Sequence, residues 1–263
     1  EIKDVVITVP AFFSAVQLHA TLQTTRLAGL NVLRILPEPC AAALPYCQWN
    51  NLSLCLVYDL GGGIFDIILI EIKNGDYRVI KTEGNHSLGG SDFDYLLAEY
   101  LQNELETYGI YIEKTSRKYQ RLVHGAEKAK IALSIAKSTD VPLSSFATVA
   151  SEVDDYYTID RSKFEELIRE KLDHHETCQR CLSEVNLTLG PRDAILLVGG
   201  SSCIPLVAKL LEQAFWHYNM KQCESDELVA QGAYITAVKS YEPANTSFAN
   251  VSVSLYTRLL LQY

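Results

Sequence analysis

Two aspartates, Asp59 and Asp66, stand on either side of three consecutive glycines, Gly61, Gly62 and Gly63, with apolar runs before and after them. Glycines let backbone N–H groups come close to phosphate oxygens, and a carboxylate on each side can hold a hydrated Mg²⁺ or orient a water. The same pattern also reads as a plain tight hairpin. A second glycine pair, Gly199-Gly200, follows the apolar run Ile195-Leu196-Leu197-Val198 and leads through Ser201 to Pro205, which suits the first turn of a helix. Strand, glycine pair and helix N-terminus form a recurrent phosphate or ribose site. Glu38 lies between Pro37 and Pro39 at a helix start, where it is either a held catalytic carboxylate or a capping acid.

Further polar groups share a helical face. On a helix expected from about Ser116 to Ala136, Glu127, Lys130 and Ser134 fall at i, i+3 and i+7, which either lines a pocket or makes a solvated face with a Glu–Lys pair. Asp226 and Glu227 begin the last helix. A competing cluster, His174, His175, Cys178 and Cys181, has spacing that could bind Zn²⁺ but equally fits the buried stripe of a helix.

The elements that must hold these groups alternate as an α/β pattern. Val5 to Val9 is a strand closed by Pro10, followed by a helix stopping near Gly29 and a second buried strand from Leu30 to Leu36. The central strands turn at Asn74-Gly75 into Tyr77 to Lys81, and Gly89-Gly90-Ser91 opens a helix with Phe93, Leu97, Leu101 and Leu105 on one face. Residues 140–160 read as two short strands, Ser162 starts a long helix to about Val185 through a capping box, and Gly232 permits close packing of the last helix.

Composition narrows the class. The chain has 263 residues, 48% of them hydrophobic, and a net charge of −9, which argues for a globular core and against a nucleic-acid backbone or anionic membrane as partner. Seven cysteines, an odd number, suit reduced thiols better than a disulfide framework. Five N-x-S/T triplets, at Asn51, Asn85, Asn186, Asn245 and Asn250, point the other way but weakly. A chain that opens directly on a strand reads as a fragment.

Six segments together carry a resemblance: Val9-Pro10-Ala11-Phe12-Phe13, Glu38-Pro39-Cys40-Ala41-Ala42-Ala43, Asp59-Leu60-Gly61-Gly62-Gly63-Ile64-Phe65-Asp66, Leu88-Gly89-Gly90-Ser91-Asp92-Phe93-Asp94, Glu127-Lys128-Ala129-Lys130 and Leu197-Val198-Gly199-Gly200-Ser201. In this order they resemble the DnaK-type, seventy-kilodalton heat-shock chaperones. The resemblance implies an actin-like ATPase fold, with a ribonuclease H-like core and two lobes around a nucleotide cleft. Residues 1–48 would be the remainder of the first lobe, 49–88 and 160–240 the core of the second, 89–159 its peripheral subdomain, and 241–263 an unassigned tail.

The resemblance also implies roles. ATP or ADP with Mg²⁺ would be the cofactors. Asp59 and Asp66 would surround the metal, through water, and the attacking water, which Glu38 would position. Gly61, Gly62, Gly63 and Ile64 would hold the β- and γ-phosphates, Glu127, Lys130 and Ser134 would face the adenosine, and Gly199, Gly200, Ser201 and Asp226 would close the ribose and adenine side. J-domain co-chaperones, nucleotide-exchange factors and unfolded clients would be the partners, in the cytoplasm, the clients through a domain outside this sequence. Against the family pattern, Ile64 replaces a threonine, Cys203 and Ile131 replace arginines that stack on adenine, Leu18 replaces a relay arginine, and Pro37 and Cys40 flank Glu38 in place of asparagine and threonine; Arg34 is retained. These departures motivate a second reading, a non-hydrolysing relative that acts by protein binding. A small-molecule kinase of the same superfamily is a third.

Overall fold

The computed structural model describes residues 3–73, 76–85, 87–143, 156–172, 175–190, 192–215, 219–222 and 225–241. The Asn74-Gly75 turn, His174 and the tail from 242 lie outside them.

A five-stranded mixed sheet, with strands 76–85, 65–73, 54–60, 194–198 and 219–222 in that spatial order, is the centre. β3 (Leu54–Leu60), β4 (Phe65–Lys73) and β5 (Asp76–Asn85) run antiparallel as two successive hairpins, while β8 (Ala194–Val198) and β9 (Asn219–Gln222) join parallel to β3. β3 and β8 are apolar almost throughout because the sheet is covered on both faces. Strand periodicity then sorts the side chains. Leu56, Tyr58, Leu60, Phe65, Ile67, Leu69, Ile195 and Leu197 enter one core cluster, and Cys55, Val57, Ile68, Ile70, Leu196 and Val198 enter the other.

Helix α2 (Glu38–Asn50) belongs to the second cluster, together with residues of α8 (Ser225–Tyr241). The expected close approach at Gly232 is present: a Cβ there would collide with the backbone of Ala41. The two helices therefore touch backbone to backbone through small residues. β1 (Asp4–Val9) and β2 (Asn31–Pro37) form a separate two-stranded parallel sheet, against which α8 also packs. β2 is less buried than its apolar run suggests, with only Leu36 fully enclosed, and α1 (Ala15–Leu27) buries no residue.

The first cluster is covered by α3 (Gly90–Thr107), α4 (Arg117–Ile135), α5 (Arg161–Ile168), α6 (His175–Ser183) and α7 (Pro205–Ala214). The long helix expected from Ser162 to Val185 is not one helix. It begins at Asp160, with Ser162 already inside it, and gives way to a 3₁₀ turn at Arg169–Leu172. The physical reason is that its halves serve different neighbours: α5 packs on α3 and α4, whereas α6 packs on β4 and β5, so the axis must change direction between them. β6 (Ser138–Pro142) and β7 (Tyr156–Asp160) pair antiparallel, as the two short strands expected there. Among the described residues no helix is long and apolar enough to cross a membrane.

Candidate nucleotide site

Asp59 and Asp66 are direct cross-strand partners at the end of the β3–β4 hairpin. Counting by twos from Val57 and Ile68 puts both on the sheet face that α2 covers. Glu38 is the first residue of α2, so the third expected carboxylate reaches the same place from a different element. Asp66 is 4% exposed. Burial first, and then the charges of Asp66 and Glu38, push the Asp59 carboxyl up to about 7. Three carboxylates crowded at a strand end make a site that gains from a cation.

The glycine turn beside them is pinned from behind. The Gly61 N–H donates to the Ile64 carbonyl at 3.0 Å, closing the turn, and the N–H groups of Gly90 and Ser91 donate to the carbonyls of Gly61 and Gly62 at 3.0 and 2.7 Å. The start of α3 thus engages the turn's carbonyls, and residues 62–64 stay exposed. Gly89 has no room for a side chain, since a Cβ would strike the backbone of Gly62 and Gly63. Its N–H is held by Asp92 Oδ2 at 2.8 Å.

The second glycine turn meets the first. Gly199 has φ +86°, a conformation that disfavours any Cβ, and one built there would lie 2.5 Å from the Leu60 carbonyl oxygen and 2.6 Å from Asp59 Oδ1. At Gly90 a Cβ would strike Ser201 Oγ and sit 2.9 Å from Lys130 Nζ. Three glycine-containing segments therefore converge on the neighbouring ends of β3 and β8. Ser202 Oγ donates to the Gly199 carbonyl at 2.7 Å and accepts from Gln222 Nε2 at 2.8 Å, so the turn is braced by β9 as well. Gly200 is exposed and Ser201 buried.

On α4 the three expected residues separate. Lys130, with its side chain 12% exposed, pairs with Asp94 Oδ1 at 2.8 Å and donates to the Gly90 carbonyl at 3.2 Å. Glu127 lies 3.1 Å from His124 Nδ1, and Ser134 Oγ donates to the Lys130 carbonyl at 3.2 Å. The Glu–Lys pair of a solvated face is absent, because Lys130 turns inward to α3. Burial raises the Asp94 carboxyl despite the opposing pull of Lys130. Asp226 is in the first turn of α8.

Asp94 was not legible as a site residue, since its partner lies on another helix; the only signal is its place just after Gly89-Gly90. Among the substituted positions, Ile64 is 36% and Ile131 57% exposed, and Cys203 is exposed beside Gln222. Arg34 lies over the Tyr77 ring at 5.2 Å. The candidate zinc cysteines are buried, and burial pushes the Cys181 thiol up to about 11 and raises Cys178 as well, the reverse of what a thiolate ligand needs. No group of three or more His, Cys, Asp or Glu among the described residues is arranged to hold a metal ion by itself.

The family model described as Hsp70 protein matches residues 1–250. The mitochondrial heat shock 70 kDa protein of Pisum sativum is 40% identical over 235 residues, which is 88% of this chain and 35% of that protein. Its counterpart in Solanum tuberosum is 41% identical over 235 residues, covering 88% of this chain and 34% of that protein. The chaperone protein DnaK of Deinococcus radiodurans is 39% identical over 244 residues, 90% of this chain and 39% of the relative. The chain thus spans a little over a third of the length of the curated relatives it matches. Collinear match over nearly the whole chain, with the sheet and turns described above, leads to one conclusion: this chain belongs to the Hsp70 family and has the actin-like ATPase fold of that family's nucleotide-binding domain.

Proposed function

We propose that this chain binds adenine nucleotide with Mg²⁺ at the junction of its two glycine turns, as part of a chaperone that couples ATP hydrolysis to the binding and refolding of unfolded proteins. The observation that carries the reading is the convergence of Gly61–Gly63, Gly89-Gly90 and Gly199 beside the crowded carboxylates Asp59, Asp66 and Glu38. Exposed glycine backbone offers amides to phosphate oxygens, and the carboxylates favour a hard divalent cation. The crowded carboxylates are hard oxygen donors and would suit Mg²⁺ held through water, with the nucleotide's phosphates supplying further oxygens. Bound there, the ion would neutralise phosphate charge. Glu38, from its fixed place at the start of α2, would orient the attacking water. Glu127, Ser134, Gly200, Ser201 and Asp226 would lie on the nucleoside side. Thermal melting tests the reading: ADP with Mg²⁺ should raise the melting temperature in a concentration-dependent way, and a folded chain that melts identically with and without it would contradict it.

One observation favours the non-hydrolysing alternative. Ile64, partly exposed at the end of the phosphate turn, places a branched alkyl group where a hydroxyl stands in the family pattern. Binding could survive this, since the turn binds through backbone, while hydrolysis would slow. The whole protein's partners, J-domain co-chaperones, exchange factors and unfolded clients, and its cytoplasmic location are inferred from the family alone.

A further inference from the structure

We propose that α3 carries a binding site for a small aromatic carboxylate, in a hollow of about 300 Å³ bounded by the start of α4 and by the turn between α5 and α6. Asp92, Tyr95, Leu96 and Glu99 fall at i, i+3, i+4 and i+7, so they share one face of α3, turned away from the buried stripe of Phe93, Leu97 and Leu101. Tyr119, in the first turn of α4, and Lys114, a few residues before that helix, form a second wall. Lys171 comes from the 3₁₀ turn at Arg169–Leu172 and forms the third. The break that separates α5 from α6 is thus what brings a cation to this place.

The chemistry of the lining selects the ligand. Tyr119 is 6% exposed and Tyr95 50%, so one ring is set into the wall while the other is open to an incoming molecule. With Leu96 they offer flat apolar surface. Both acids are already engaged: Asp92 Oδ2 accepts the Gly89 N–H at 2.8 Å, and Glu99 pairs with Lys114 at 2.7 Å. Lys171 is exposed and has no ion pair among the described residues, so the charge left uncommitted in the hollow is a single ammonium. One free cation beside aromatic surface suits a monoanion with a flat apolar body better than a phosphate ester, which brings nearly two charges. The volume is at the small end of the range for ligand sites, which suits one or two fused rings. The site stands whether or not the glycine turns bind nucleotide.

The test is titration of the full chain with naphthoate and with its neutral amide, naphthamide, followed by NMR. Naphthoate should give saturable shifts at Tyr95, Leu96 and the Lys171 side chain, and the amide should bind roughly fivefold more weakly, the size of one exposed charge contact. Lys171→Gln should weaken naphthoate by the same factor and leave the amide unchanged, whereas Lys171→Arg, which keeps the charge, should retain naphthoate binding. Tyr95→Ala should weaken both ligands. The proposal is overturned by the absence of a saturable shift at Tyr95 at millimolar naphthoate, by equal binding of acid and amide, or by shifts confined to the glycine turns. A Lys171→Gln or Tyr95→Ala chain that binds naphthoate as tightly as the parent overturns it as well. Comparing acid with amide needs no substitution, so the outcome is decided even where a variant does not fold.

Discussion

Two carboxylate sites lie beside the converging glycine turns, and they are built on opposite principles. Asp94 on α3 carries its cation with it, Lys130 at 2.8 Å, and both side chains are nearly enclosed. Asp59, a short distance along the glycine turns, is surrounded instead by the like charges of Asp66 and Glu38, which with burial push it up to about 7. The first arrangement satisfies charge inside the chain and fixes two helices to each other. The second brings like charges together, and a proton or an added cation relieves their repulsion. That difference separates the scaffold of the site from its chemistry.

The contrast is sharpest in stability, where the two aspartates should respond with opposite signs. Asp94→Ala leaves the Lys130 ammonium buried without its counter-charge and should cost about 3 kcal/mol in urea unfolding, whereas the double variant Asp94→Leu with Lys130→Met should recover most of that loss. An Asp94→Ala variant as stable as the parent would remove the distinction. Asp59→Asn should do the reverse, raising the melting temperature of the ligand-free chain at about pH 8 while reducing Mg²⁺-dependent ADP affinity roughly tenfold.

Proton linkage gives a finer test. The folded-state value of Asp59 is raised from 3.8 to about 7, so the folded chain holds this proton more tightly than the unfolded chain. Its contribution to stability is complete below about pH 4 and is lost as the pH rises through about 7. Ligand-free stability attributable to Asp59 should therefore fall across that window, and Mg²⁺-dependent ADP affinity should rise across it. Comparing the chain with its Asp59→Asn variant isolates the effect, and parallel pH profiles for the two would place the titration elsewhere. The smallest expected change is at Ile64: Ile64→Thr should raise single-turnover hydrolysis several-fold with little effect on ADP affinity, and an unchanged rate would clear Ile64 as the lesion.

The glycine turns were readable in the sequence because glycine's purpose there is local, to admit close backbone, and the flanking apolar runs define the strands that carry them. The pairing of Asp59 with Asp66 follows from the same hairpin by simple period-two counting. Lys130 was readable only as a member of a helical face. Its partner depends on how α3 and α4 pack, which i, i+3 spacing does not encode, so in place of the alternative Glu127–Lys130 pair the structure has Lys130–Asp94 and His124–Glu127. The α5–α6 break was hidden for a similar reason. The amphipathic pattern continues through 161–183 while the surface being covered changes from α3 and α4 to β4 and β5. That α1 buries no residue, with Val16 78% and Leu27 89% exposed, also escaped a reading based on pattern alone.

The most direct measurement is calorimetric titration of the folded 263-residue chain with ADP at about pH 8, with and without Mg²⁺. Binding in the micromolar range, about −8 kcal/mol, is expected, weakening when Mg²⁺ is withheld. No binding heat from a folded chain in the presence of Mg²⁺, at any temperature tried, would contradict the claim that its converging glycine turns and crowded carboxylates form a nucleotide site.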